Sequence, residues 1–132
     1  MKFLVCYEEA NPSAVILKEA QAHAQVWNAT LEIVKADTRE LPIKHSKILE
    51  MEKEMEDNVS KQIEDDGVSY NVQLMVTSLE PGEKLVKFAE EEEIDLIFLG
   101  IIKKSKVSKL FFGSTAQYVI LNAPCPVVTI KA

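Results

Sequence analysis

No apolar stretch in this sequence approaches the roughly 18 residues that a membrane-spanning helix needs, and the N-terminus, MKFLVCYEEA, meets acidic residues before the core of a signal peptide can form. A cytoplasmic protein without membrane association is therefore expected. Cysteine is scarce: Cys6 and Cys125 stand far apart in apolar stretches, without metal-ligand spacing or a paired framework, and read as buried, reduced thiols. Basic residues are outnumbered 15 to 21, giving a net charge of −6. That balance excludes a general nucleic-acid binder, because neutralising phosphates needs a broad basic face. Glycine is missing where loop chemistry would need it. The segment from Tyr7 to Asn11 has none, so its backbone cannot wrap a pyrophosphate as a G-x-G-x-x-G turn does. Neither G-x-x-x-x-G-K-[ST] nor G-x-S-x-G occurs, which removes P-loop NTPases and α/β-hydrolases along with nicotinamide-dependent Rossmann enzymes.

What is present is ordinary globular material. With 132 residues, 47% hydrophobic and 27% charged, the chain has the size of one domain, expected over 1–132, and too much apolar content for disorder. KFLVCY opens as a β-rich run, and the period then changes at Asn11 and Pro12, a cap and first-turn pair for a helix whose apolar stripe is Ile16, Ala20, Ala24 and Trp27. TLEIVKA predicts a second strand. Ser46 offers a cap for a long helix with Ile48, Met51, Met55, Val59 and Ile63 as its buried stripe, ended by Gly67. YNVQLMV predicts a third strand, and a helix from Pro81 follows with Leu85, Phe88 and Ala89 inward, closed by the solvated run Glu90 to Glu93. The fourth strand, DLIFLG, is nearly all apolar, as a strand covered on both faces must be. A short helix opens at Gly113 and Ser114 with Ala116, Val119, Ile120 and Ala123 inward, and Pro124 to Pro126 stop it before a last strand, PVVTIK. Strict β/α alternation forces parallel strands and right-handed crossovers. The expected fold is α/β: a five-stranded, parallel, doubly wound open sheet of order 3-2-1-4-5, Rossmann- or flavodoxin-like.

In such sheets ligands bind beyond the carboxyl ends of the strands where strand order reverses, here between strands one and four. The loop after strand four, Gly100 to Gly113, holds Lys103, Lys104, Lys106 and Lys109, a local basic reversal in an acidic chain. At its end Gly113, Ser114 and Thr115 start a helix, whose free N–H groups and positive dipole end suit an anion. On local chemistry alone this is equally a solvated basic loop with glycines used for turns. His23 and His45 lack partners at motif spacing and read as surface or partly packed histidines, and Cys125 between two prolines reads as structural.

The sequence resembles the universal stress protein family over essentially its whole length. The family's nucleotide-binding members carry G-x2-G-x9-G-[ST] after strand four; here Gly100, Gly113 and Ser114 match in register, with Lys103 at the second glycine. KKSKVSKLFFGSTAQYVILNAPCPV looks like the family's basic-loop variants, and LEPGEKLVKFAEEEEIDLIFLG resembles the segment before it. FLVCYEEANPS resembles strand one, with Glu8 where a nucleotide-binding aspartate usually stands. The resemblance implies an adenine nucleotide, ATP or AMP. Adenine would lie near the backbone of Ala36, ribose near Glu8 and Gly100 with Leu99 bordering, and phosphates at Gly113, Ser114 and Thr115. Cys6, Lys103 and Lys109 complete the implied site, and magnesium would be held through the phosphates and Glu8. It also implies a homodimer through strand five at Val127, Val128, Thr129 and Ile130, an edge that carries little protective charge. The function expected is a stress-response sensor or regulator with an unidentified regulatory protein as partner, and with ATP hydrolysis slow at most, since no positioned general base is evident beyond Glu8. The alternative is a nucleotide-free dimeric interaction module of the same family.

Overall fold

The computed structural model describes residues 1–8, 13–39, 42–103, 110–111 and 113–131, with 102, 103, 110 and 111 described through their backbone alone. The elements in chain order are β1 (Lys2–Cys6), α1 (Ser13–Trp27), β2 (Thr30–Thr38), α2 (His45–Gln62), β3 (Tyr70–Thr77), α3 (Pro81–Glu91), β4 (Leu96–Lys103), β5 (Leu110–Phe111), α4 (Ser114–Asn122) and β6 (Val127–Lys131). Parallel pairing gives the order β3-β2-β1-β4-β6, which is the expected order of five strands with β6 as the last.

The sheet is apolar on both faces because helices cover both. Alternation along β1 divides it cleanly: Phe3 and Val5 enter one core with Ile16, Leu17 and Ala20 of α1 and Met55 and Val59 of α2, whereas Leu4 and Cys6 enter a second core with Leu85, Val86 and Ala89 of α3 and Ala116 and Val119 of α4. Phe98 of β4 lies fully inside the first core, its ring 5.9 Å from that of Phe3 and edge-on to His23. His23 is thus partly packed, with Nδ1 also 2.8 Å from the Glu19 carbonyl.

Several local expectations are corrected. The stripe on α1 ends at Ala24. Trp27 is the last residue of the helix, where the chain turns through Asn28 at φ 53° into β2, and it stays 59% exposed. Ser46 caps nothing: it lies inside α2, which starts at His45 with the extended Lys44 (φ −63°, ψ 134°) as its N-cap, and no side-chain capping bond forms because a lysine ammonium has no acceptor for a backbone N–H. That helix stops at Gln62, where Ile63 turns extended, so Gly67 (φ +82°) serves a turn before β3. On α4 Ile120 is 39% exposed, while Ala116 and Val119 carry the burial. The loop expected from Gly100 also begins later. β4 continues to Lys103, Gly100 and Ile101 pairing with Ile130 and Lys131, and then forms a short antiparallel ladder with β5 through Ile102–Phe111 and Lys103–Leu110. Asn11, Pro12, Lys104, Lys106 and Lys109 lie outside the described residues.

Among the described residues no helix is long and apolar enough to cross a membrane. Both cysteines are free, and β4 separates the strands they adjoin.

Candidate functional site

Strand order reverses between β1 and β4, the two crossovers leaving to opposite faces, and a cleft of about 470 Å³ opens there beyond the carboxyl ends of the strands. Its floor is the ends of β1, β2 and β4: Cys6, Tyr7, Val34, Lys35, Ala36, Leu99, Gly100 and Ile101. Its walls are the first turns of three helices, with Ser13 and Ile16 from α1, Pro81 and Leu85 from α3, and Gly113 to Ala116 from α4.

Eight of the residues singled out in the sequence line this one cleft: Cys6, Glu8, Ala36, Leu99, Gly100, Gly113, Ser114 and Thr115. Lys103 ends β4, paired through its backbone with Leu110. Lys109 lies outside the described residues. Tyr7, Ser13, Lys35, Pro81 and Leu85 were missed. Tyr7 and Lys35 were legible as neighbours of Glu8 and Ala36, but nothing in the local sequence marks the α3 residues, which reach the cleft through packing of α3 against α4.

The chemistry divides the cleft. At one end α4 begins at Gly113, an extended N-cap (φ −60°, ψ 164°) without a side-chain capping bond. The first-turn N–H groups of a helix have no intrahelical acceptors, so those of Ser114 to Ala116 face a region suited to an anion. Much of the remaining lining is apolar, with Val34, Ala36, Leu99 and Ile101. The α1 wall is tied to α2 by Gln62, which accepts a hydrogen bond from Ser13 Oγ at 3.2 Å and donates one to Tyr7 Oη at 3.3 Å. Burial pushes the Cys6 thiol up from 9.0 to about 12, the charges of Glu8 and Cys125 adding to it. Cys6 is therefore a neutral, apolar part of the floor at physiological pH. A raised thiol favours the folded protein fully below its unfolded value, and that contribution is lost as pH climbs toward 12. Among the described residues no group of three His, Cys, Asp or Glu side chains could hold a metal ion.

The universal stress protein family model matches residues 1–131. The chain belongs to the universal stress protein family. A universal stress protein of Methanocaldococcus jannaschii is 36% identical over 73 residues, covering 55% of this chain and 42% of that protein. The chain spans about half the length, or less, of the curated relatives it matches first, 42% and 52%. Solved universal stress proteins align more fully. One from Archaeoglobus fulgidus has a TM-score of 0.79 at 28% identity, covering 99% of this chain and 93% of that one. A structure of the universal stress protein from the same organism in complex with dAMP has a TM-score of 0.75 at 25% identity, covering 98% and 96%.

Proposed function

We propose that this universal stress protein is a cytoplasmic adenine-nucleotide-binding module, in which ATP or AMP, with magnesium held through the phosphates and Glu8, biases conformation or the choice of a regulatory partner. The observation that carries this reading is the single cleft in which an apolar floor meets the N-terminus of α4, with Glu8, Ala36, Gly100, Gly113, Ser114 and Thr115 all on its lining. Its volume of about 470 Å³ falls in the usual range for small-molecule sites. The dAMP complex of the Archaeoglobus fulgidus relative supports adenine as the base. Glu8 is the one acidic residue among the described lining residues, which favours a sensor with slow hydrolysis at most over a catalyst. Small molecules released by denaturing freshly purified protein should include an adenine nucleotide in the mass spectrum. Nucleotide-free protein that also fails to take up ATP, ADP or AMP at millimolar concentration would favour the interaction-module reading.

The same reading includes a homodimer through β6. This strand pairs with β4 alone among the described residues, so its outer edge is available to a second copy about a twofold axis. Val127, Val128 and Ile130 also pack on the cores, whereas Thr129 is exposed, so Thr129→Lys charges the edge and leaves the cores intact. The variant is expected to halve the mass measured by light scattering with unchanged circular dichroism. A monomeric wild-type protein at micromolar concentration would overturn the dimer.

A further inference from the structure

The N-termini of α3 and α4 lie side by side at the cleft. Pro81, the first residue of α3, and Ser114, the first of α4, both line it. Glu80 is the N-cap of α3, yet its side chain makes no capping bond to its own helix. Instead its carboxylate reaches across to α4, where Oε1 accepts a hydrogen bond from Ser114 Oγ at 3.3 Å. A negative side chain thus engages the hydroxyl that the nucleotide reading assigns to phosphate. Two positive helix ends bordering the same spot favour a carboxylate there as they would a phosphate.

We infer that Glu80 is a specificity-determining residue, competing with nucleotide phosphate for Ser114 Oγ and grading affinity by phosphate charge. The inference rests on the reading of the cleft as an adenine-nucleotide site. A phosphate drawing the Ser114 hydroxyl must displace the Glu80 carboxylate, and any further phosphate charge nearby is repelled by it. Adenosine carries no such charge and is indifferent to Glu80. AMP meets one increment of repulsion and ATP a larger one, unless magnesium neutralises part of the chain. Glu8, also on the cleft lining, acts in the same direction on charge, but among the described residues it is Glu80 that accepts a hydrogen bond from the Ser114 hydroxyl and so links repulsion to it.

The test is calorimetric titration of the full-length protein with adenosine, AMP and ATP, without magnesium and at low salt, for wild type, Glu80→Gln and Glu80→Asp. Glu80→Gln keeps the size and an acceptor oxygen while removing the charge. For a unit charge about 7 Å from a single unit of phosphate charge in water, repulsion corresponds to roughly threefold in affinity before screening, and each further phosphate charge adds to it. Glu80→Gln should therefore bind ATP about threefold or more tighter, AMP by a smaller factor and adenosine unchanged, with the ATP gain fading at high salt. Glu80→Asp, keeping the charge, should stay near wild type. A Glu80→Gln effect equal for all three ligands, or a weaker affinity for ATP, would overturn the proposal while leaving the nucleotide site standing. Failure of wild type to bind any of the three would overturn the nucleotide reading, and the role of Glu80 with it.

Discussion

Saturation with ATP and magnesium is expected to raise the melting temperature of the wild-type protein by about 10 °C, and Gly113→Val to remove that rise while leaving the ligand-free protein nearly as stable. The size follows from linkage. A ligand at a hundred times its dissociation constant stabilises the folded state by about 2.7 kcal/mol, and for a chain of this size each kcal/mol is worth roughly 4 °C. Gly113 separates binding from folding unusually well. Its φ of −60° is open to any residue, and a Cβ added there would meet no atom within 4 Å, so valine enters without strain. The cap preference it gives up is worth at most about 1 kcal/mol. That open space adjoins the cleft which Gly113 itself lines, at the helix end that the phosphates would approach. Differential scanning fluorimetry with ATP, ADP and AMP at millimolar concentration measures both quantities. A Gly113→Val protein that keeps the full shift would remove the α4 N-terminus from the site, and no shift in wild type would remove the nucleotide reading altogether.

Most of the fold was legible because its signals are periodic. Runs such as KFLVC and LIFLG, too apolar for one exposed face, declare strands covered on both sides, and the spacing of Ile16, Ala20 and Ala24 declares one helix face. Errors fell where a residue type has two uses. Gly100 looked like the start of a loop but sits inside β4, paired with Ile130, because the ladder with β6 runs on past it to Ile101–Lys131. Ser46 looked like a cap, yet the chain had already become helical at His45. Trp27 continued the apolar stripe by count, but the helix ended with it. The site divides in the same way. Residues at strand ends and at the α4 start were legible from topology and from the family resemblance. Pro81, Leu85 and the Glu80–Ser114 contact were not, because they arise from the packing of α3 against α4 across more than thirty positions of sequence.

That packing is the most exposed point of the design, and Gly82→Ala should cost about 1–2 kcal/mol of stability even though alanine is the better helix former. Gly82 is buried in the first turn of α3, and a Cβ built on it would lie 2.8 Å from Tyr118 Cβ and 3.2 Å from Cγ and Cδ1 of the same ring. Turning the ring relieves the two longer contacts. It cannot relieve the first, because Cβ is fixed to the α4 backbone, so the helices must move apart. Overpacking of this kind costs about 1–3 kcal/mol. The opposing gain of alanine over glycine reaches about 1 kcal/mol in a helix interior and is smaller in a first turn, where fewer residues are committed to the helix. The clash therefore wins. Its consequence extends to the cleft, since the first turns of α3 and α4 form its phosphate-end walls through Pro81, Leu85, Ser114 and Thr115. Urea titration of Gly82→Ala should show a lower midpoint with an unchanged slope, and the ATP-dependent thermal shift should shrink. A variant as stable as wild type would mean that α3 and α4 can separate without loss, and a full ATP shift in a destabilised variant would mean that the walls of the cleft do not depend on their contact.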